Sequence, residues 1–304
     1  MWFIIAIISV FLFAVTAVVD KFLLSKSPLI PISYAFVISL LGALASVVLV
    51  IFEKGFYFPA QHFLALFIGG AGFYFAVYFM YLAVVKNEVS RVNPMINSLA
   101  PVVIYFLTMV LAVELISARK LLGAAVVISG GYLLSQVGLK KAQLHKSALV
   151  LIILAAIMFG ISNTFSKMAY DQLPFLTSFI WIRWLTLLTA LVFTTLIGGW
   201  SKISFKRKKQ RQTPAKKKNP WPALVIGQVS GGAAVILFQY AIKLGSVTIV
   251  TALQGLQYFF LLLLTILLSK KFPQILQEAI GPAVIKKKLL YCLILAIGVI
   301  LLLV

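Results

Sequence analysis

The chain has 304 residues, of which 62% are apolar and 11% are charged, and its formal net charge is +21. With a mean hydropathy of +1.10, it carries more apolar surface than a water-soluble globule can bury, which excludes a soluble protein. The positive charge lies in the connections between apolar runs and lacks the stacking aromatics of a nucleic-acid-binding domain, so we expect a lipid bilayer and no nucleic acid as partner.

Apolar runs of about 20 residues, long enough to cross a bilayer, recur along the whole chain. Each fits a helix better than a barrel strand, which would show about 10 residues of alternating polarity. The first run lacks a basic region before Trp2, which favours a retained helix over a secretory signal. The sequence therefore predicts an all-α integral membrane protein with ten transmembrane helices, at residues 2–19, 31–52, 62–84, 92–113, 120–138, 147–169, 175–198, 221–242, 246–268 and 289–304.

Predicted helices 3 and 4 carry polar side chains at helical spacing. Tyr74 and Tyr78 share one face of helix 3, where their hydroxyls could orient a ligand and their rings could stack on it. Asn93 and Asn97 lie one turn apart in helix 4, on either side of Pro94. Because proline removes a backbone hydrogen bond and can kink a helix, it would expose carbonyl groups to a solute. These tyrosines and asparagines are candidate substrate-binding residues.

The second half places amides and hydroxyls at corresponding depths in predicted helices 6, 8 and 9. Such groups are costly inside a bilayer unless they pair with one another or face water. Contacts that only hold helices together are the alternative for any single residue. As a group they favour a polar cavity, with Asn163, Thr164, Gln239, Thr251, Gln254 and Gln257 as further candidates for substrate binding.

Charged residues near the ends of the predicted helices are candidate vestibule charges. Arg183 lies about nine residues into helix 7, roughly 13 Å deep, where a cation costs about 2.5–3.5 kcal/mol. We expect an ion pair with Asp171 or Glu114, and direct binding of an anion is the alternative. Lys21 and Lys167 end helices 1 and 6, where they would act as interfacial anchors or as positive charge at the two mouths.

The acidic residues limit the kind of solute. All six lie at helix ends or in connections. A proton antiporter for lipophilic cations would need a carboxylate within the membrane to exchange the proton for the substrate. The sequence therefore favours a neutral, zwitterionic or anionic solute.

The two halves of the chain are related by a repeat. Phe13 and Lys21 recur 146 positions later as Phe159 and Lys167. Later helices align in the same order at larger offsets, because connections lengthen in the second half. Each half contains five helices, and an odd number places the second half upside down relative to the first, around a central cavity. The predicted domains are two five-helix repeats, residues 1–139 and 140–304, with a basic cytoplasmic loop at 200–220.

The basic residues predict the orientation. Of the 27 lysines and arginines, 21 lie in the connections after helices 1, 3, 5, 7 and 9. Because basic connections face the cytoplasm, we expect those five to be cytoplasmic and both termini to lie outside a plasma membrane.

Several stretches resemble one transporter family. Residues 82–135 contain Pro101 in helix 4, Glu114 at its end and then LLGAAVVISGG, and resemble the end of an EamA repeat from the drug/metabolite transporter superfamily. FGISNTFSK and WIRWLTLLTALVF, which contains Arg183, are similar to that family's first and second helices. The resemblance implies a secondary transporter with alternating access, whose helices 1, 3 and 4 and their mates 6, 8 and 9 surround the cavity. The chain departs from the pattern at Val37, which stands where Arg183 falls in the second half.

The function that these features predict is export of a small polar metabolite, such as an amino acid. A flippase for lipids or lipid-linked sugars and a non-transporting membrane scaffold are the alternatives. The single cysteine, Cys292, gives no thiolate cluster, and His62 and His145 lie outside the spans. We therefore expect no catalytic residue, metal or cofactor, and the sequence leaves a homodimer open.

Overall fold

The computed structural model describes residues 1–24, 30–53, 55–87, 89–137, 146–203, 221–269 and 282–303. Within those ranges the secondary structure is helical. The first half contains α1 (Trp2–Leu24), α2 (Pro31–Val50), α3 (Phe63–Lys86), α4 (Val89–Val110) and α5 (Ala118–Gln136).

The second half follows the same order but has one interruption. Its helices are α6 (Lys146–Gln172), α7 (Phe175–Leu196), α8 (Trp221–Leu244), α9 (Val247–Ala252), α10 (Gln257–Ser269) and α11 (Pro282–Leu303). A single 3-10 turn at Leu253–Leu256 separates α9 from α10, so the predicted ninth helix is present but broken.

A helix occurs at each of the ten predicted runs, although several bounds differ. The fourth begins at Val89 and remains a continuous helix with Pro94 and Pro101 inside it. The last begins at Pro282, so Lys286 and its two neighbours lie within α11 rather than before it. Exposed lysines at a helix end can reach the interface along their apolar stems, which allows the helix to continue through them.

Seven spans among the described residues are long and apolar enough to cross a membrane by length and composition. Part of α8, Val229–Leu244, is a shorter apolar helix, and α5 and α11 carry cations near their starts. The seven are Trp2–Val19, Pro31–Val50, Ala60–Lys86, Arg91–Val110, Lys146–Gln172, Phe175–Leu196 and Val247–Leu264.

Close packing between α3 and α6 depends on small residues. The Ser162 hydroxyl donates a hydrogen bond of 2.7 Å to the Gly69 carbonyl. A Cβ atom at Gly69 would lie 3.0 Å from Ser166 Oγ, and one at Gly72 would lie 3.1 Å from the Ser162 nitrogen. Residue numbers therefore rise along α3 as they fall along α6, so the two helices are antiparallel. Small residues bring backbones close in this way where lipid removes the hydrophobic drive for association.

The corresponding contact between α1 and α8 is also antiparallel. Thr16 lies 3.1 Å from Ser230, hydroxyl to hydroxyl, and the Phe13 and Phe238 rings are 5.8 Å apart. Farther along, Trp2 packs against Gly245. The arrangement therefore matches that of α3 with α6, with the two halves exchanged.

Two more pairs each join one helix from each half. Gly123 packs against Gly298 and Leu302, and Gly130 against Leu295, so α5 and α11 run in opposite directions. In α2, Ile32 lies against Gly199 and Gly42 against Arg183, so α2 and α7 also run in opposite directions. Apolar side chains such as Leu44, Val48 and Leu293 remain exposed on the outside of these helices, where lipid would cover them.

Candidate functional site

Two buried amides meet where α6 packs near α8. Asn163 is 6% exposed and Gln239 is 5% exposed. Gln239 Nε2 donates a 3.3 Å hydrogen bond to Asn163 Oδ1, and Gln239 Oε1 accepts one of 3.2 Å from the Tyr170 hydroxyl. The structure thus brings together two residues that the sequence predicted as site members, and links them to a third that it did not.

Tyr170 was missed because it stands next to Asp171 at the end of the predicted helix, where a tyrosine is normally an interfacial anchor. It is instead 1% exposed. Its neighbour in the site, Thr164, is fully buried, and its hydroxyl has no hydrogen-bond partner among the described residues. A buried hydroxyl without a partner is costly, so Thr164 remains a candidate for substrate binding.

In the first half, Asn97 contacts the broken span of the second. Its amide donates a 3.2 Å hydrogen bond to the Tyr258 hydroxyl, which ties α4 to α10. The sequence did not predict Tyr258, although it follows Gln257 directly after the 3-10 turn. One turn earlier in α4, Asn93 Oδ1 is buried and accepts no hydrogen bond from any described group.

The 3-10 turn between α9 and α10 separates the three predicted residues of that span. The Thr251 hydroxyl donates to the Val247 carbonyl in its own helix, and Gln257 Nε2 donates to the Phe13 carbonyl over 3.4 Å. Gln254 is half-buried within the turn, and its amide has no hydrogen bond to another part of the described chain. Of the three, Gln254 therefore has the most polar atoms without a partner in the described chain, since both its oxygen and its nitrogen are left.

The tyrosine pair of α3 lies elsewhere. Tyr74 is fully buried and stacks on Tyr78, with ring centroids 6.3 Å apart. Both rings contact Phe193 of α7, at 5.7 and 5.2 Å. The pair therefore packs against α7, and among the described residues no hydrogen bond joins it to the amides of α6 and α8.

Arg183 is buried without an acidic partner among the described residues. It is 6% exposed, and its guanidinium carbon lies 4.3 Å from the centre of the Phe73 ring and 5.0 Å from that of Phe179. The expected ion pair with Asp171 or Glu114 is wrong, because both carboxylates are engaged elsewhere. A pairing over this range depends on helix rotation, which an apolar pattern does not specify.

The main unfavourable contribution to the burial of Arg183 comes from its N–H groups, which lack acceptors among the described residues. Each ring contributes up to about 2 kcal/mol when the cation is desolvated, so the two together are comparable to the cost of about 2.5–3.5 kcal/mol for a cation at depth. Rings do not replace in-plane acceptors, however, and the guanidinium has no hydrogen bond to any described residue. Each buried donor left without an acceptor costs about 1–3 kcal/mol.

Asp171 belongs to a cluster at the ends of α6 and α8. Lys167 Nζ lies 2.8 Å from Asp171 Oδ1 and donates a 3.2 Å hydrogen bond to the Lys243 carbonyl. Lys243 Nζ in turn donates to the Leu173 carbonyl over 3.0 Å. The predicted vestibule charge Lys167, which is 12% exposed, therefore joins two helices at one end of the bundle.

Glu114 caps the start of α9 from the connection between α4 and α5. Its carboxylate accepts from the Val247 and Thr248 backbone N–H groups, both at 3.1 Å, and from the Thr248 hydroxyl at 2.6 Å. The first N–H groups of a helix lack partners and carry partial positive charge, so a carboxylate stabilises them. Glu114 thus fixes the position of the broken span.

The remaining vestibule residue, Lys21, lies in the last turn of α1, and its side chain is outside the described residues. In the described part of the chain, no cluster of three histidine, cysteine or acidic residues is arranged to hold a metal ion.

Comparison with known proteins places the chain in a wider context. A family model described as the EamA-like transporter family matches residues 1–136 and 146–304. No curated protein matches the chain. A protein known from a crystal structure is 15% identical, with a TM-score of 0.67, over 98% of this chain and 94% of that one. At that identity the match shows a common fold only.

Proposed function

The chain belongs to the EamA-like transporter family, and from that premise we propose that it is a secondary transporter which moves a small polar metabolite by alternating access. Members of this family are transporters rather than enzymes, and the chain is a multi-pass membrane protein. The solute class, the direction of transport and the mechanism are the proposal.

The proposed architecture is ten membrane spans in two inverted repeats, residues 1–139 and 140–304. Reciprocal packing supports it, since α1 contacts α8 as α3 contacts α6. The equivalent helices α5 and α11 run in opposite directions, as do α2 and α7. A two-fold axis in the membrane plane relates equivalent helices in this way. The two successive family matches, one on each half, also support a duplication.

The observation that carries the transport proposal is the set of buried polar side chains within the helix bundle. The hydrogen-bonded chain from Tyr170 through Gln239 to Asn163 is buried, and Asn97 is hydrogen-bonded to Tyr258, which follows the 3-10 turn that contains Gln254. A scaffold has no need for buried amides, whereas transporters bind solutes at broken helices near the membrane centre.

The described carboxylates support a solute without positive charge. Glu53 accepts a hydrogen bond from Thr177, Glu114 caps α9, and Asp171 pairs with Lys167. None of these three carboxylates is hydrogen-bonded to the buried amides of Asn97, Asn163 or Gln239, which does not support exchange of a proton for a cation at those amides. A neutral, zwitterionic or anionic metabolite, such as an amino acid, fits the remaining groups.

Alternating access requires one mouth to close while the other opens. The contacts of Lys167 and Lys243 join the ends of α6 and α8, and Glu114 joins α9 to the connection after α4. We assign this end to the closed mouth. From the distribution of basic residues we infer that this mouth lies outside the plasma membrane, with both termini, and that the basic loop 200–220 lies in the cytoplasm. Export is the direction that we favour.

Exchange in proteoliposomes tests the proposal without knowledge of the coupling ion. Vesicles loaded with unlabelled alanine, serine or glutamate should take up the same labelled amino acid. Asn93→Ala and Gln254→Ala remove polar atoms that have no partner within the described structure, and each should lower exchange about tenfold, the equivalent of one hydrogen bond. Ser129→Ala is the matched control, since that exposed hydroxyl bonds only to carbonyls of its own helix.

Two outcomes would contradict the proposal. Absence of exchange for all three amino acids would remove this solute class, and unchanged exchange in both variants would remove the site. Dithionite quenching of a fluorescent phosphatidylcholine in the same vesicles measures lipid flipping. Rapid flipping without amino-acid exchange would identify a flippase.

A further inference from the structure

Arg183 is a buried cation whose guanidinium has no hydrogen-bond acceptor among the described residues. It is only 6% exposed and has no acidic or hydrogen-bonding partner in the described ranges. Lys167 and Lys243, by contrast, both have acceptors. We propose that Arg183 binds the carboxylate of the transported solute, an assignment that rests on the proposed function and defines its substrate class as monocarboxylates.

The surroundings of Arg183 leave the edge of its guanidinium available. Phe73 and Phe179 lie 4.3 and 5.0 Å from the guanidinium carbon, measured to the ring centres, and these cation–π contacts supply no oxygen or nitrogen acceptor for the N–H groups. The N–H groups point outward in the guanidinium plane, where a carboxylate can accept two parallel hydrogen bonds. The aliphatic part of the Arg183 side chain packs against α2: a Cβ atom at Gly42 would lie 3.5 Å from Arg183 Cδ. That side of the arginine is therefore closed by α2.

The site connects to the buried polar chain of α6 and α8. The Phe175 ring lies 5.3 Å from that of Tyr170 and 5.7 Å from that of Phe179, which packs on Arg183. The Tyr170 hydroxyl donates to Gln239, which donates to Asn163. A solute with its carboxylate on Arg183 would therefore have amide groups within reach of its polar remainder. This arrangement suits an amino acid or another small acid that carries a second polar group.

The charge of the site matches a single carboxylate group. One guanidinium in contact with two phenyl rings provides a single positive charge. A phosphate dianion would need a second cation, and the nearest lysines that the structure describes are committed to Asp171 and to backbone carbonyls. Arg183 lies inside the bundle, eight residues from the start of α7, which is about 12 Å at 1.5 Å per residue. A lipid phosphate would have to reach that depth.

Paired probes test the site in the purified, full-length protein. Acetate and benzoate are compared with acetamide and benzamide, which have nearly the same shape and no charge. Binding is measured by equilibrium dialysis of the labelled probe and by the rise in thermal unfolding temperature, in buffer without other carboxylates. At least one acid should bind about tenfold more tightly than its amide. Equal affinity within both pairs, or stronger competition by inorganic phosphate than by the acids, would overturn the assignment.

Variants then locate the binding. Arg183→Gln should abolish the preference for the acid and leave the affinity for the amide unchanged. Arg183→Lys should retain part of that preference, because lysine keeps the positive charge but cannot donate two parallel hydrogen bonds. Arg119→Gln, at an exposed position in the first turn of α5, is the control and should bind as the parent does. A preference that survives Arg183→Gln would overturn the proposal, and the comparison of acid and amide on the parent decides it even if a variant fails to fold.

The same experiment separates the two hypotheses. Binding of an acid to Arg183 without amino-acid exchange in vesicles would contradict transport and leave the anion site intact. Exchange of neutral solutes without any preference for acids would support transport and contradict the role of Arg183.

Discussion

Replacement of Gly131 by alanine tests whether the broken span depends on its contact with α5. A Cβ atom at Gly131 would lie 2.6 Å from the Gly255 Cα and 2.7 Å from its oxygen. Both are backbone atoms, so no side chain can rotate out of the way. Because carbon atoms normally approach to about 3.5–4.0 Å, α5 and the 3-10 turn would have to separate by about 1 Å.

The expected cost follows from this overlap. Overpacking of this kind destabilises a protein by about 1–3 kcal/mol, while alanine in place of glycine within a helix stabilises it by about 0.5–1 kcal/mol. Gly232→Ala is the matched control, because a Cβ atom there meets nothing within 4 Å and gains the same helix preference. We therefore expect the free energy of unfolding of Gly131→Ala to lie about 1–3 kcal/mol below that of Gly232→Ala.

Unfolding in mixed micelles, followed by circular dichroism, measures this difference. Amino-acid exchange by Gly131→Ala should also fall, since Gln254 is part of the displaced turn. If the two variants were equally stable and equally active, the close approach of α5 to the turn would not constrain the site, and the reasoning would be refuted.

Three further changes have expected outcomes in the same unfolding assay. Glu114→Ala removes the acceptor of three hydrogen bonds at the start of α9 and should lower the free energy of unfolding by about 1–3 kcal/mol; Glu114→Gln, which keeps one carbonyl oxygen, should lose less, and equal losses would contradict the cap. Ala112 has a φ of 50°, so Ala112→Gly should raise stability by about 1 kcal/mol, whereas Ala125→Gly within α5 should lower it by about 0.5–1 kcal/mol; a loss at residue 112 would count against the strained backbone. Asn97→Leu and Tyr258→Phe, made singly and together, should show a coupling energy of about 0.6 kcal/mol, and strictly additive effects would mean that the two side chains do not interact.

Much of the fold could be predicted from the sequence because the bilayer imposes a minimum length on each apolar run. The helices found at all ten predicted runs reflect that constraint. Their bounds were less predictable, since a lysine such as Lys286 can lie inside a helix at the interface. The break at Leu253–Leu256 had only a weak signal, Gly255 between two glutamines. Pro94 and Pro101 predict a kink in α4, which remains one continuous helix around both prolines.

The candidate site was only partly predictable. Asn163 and Gln239 could be identified because amides are rare in apolar runs, and they do meet. Which face of an apolar helix meets which neighbour is not encoded in hydropathy, so the sequence could not indicate that Tyr74 packs against α7. For the same reason it could not reveal that Glu114 caps α9 rather than pairing with Arg183.

Cysteine labelling at one pair of equivalent positions tests the inverted repeat most directly. Lys26 and Gln172 are 146 positions apart in the sequence, and Gln172 is exposed at the end of α6. With the single native cysteine removed by Cys292→Ala, each is replaced by cysteine and exposed to a membrane-impermeant maleimide in intact cells. The account predicts that Gln172→Cys is labelled from outside and Lys26→Cys only after permeabilisation. Labelling of both from the same side of the membrane would contradict it.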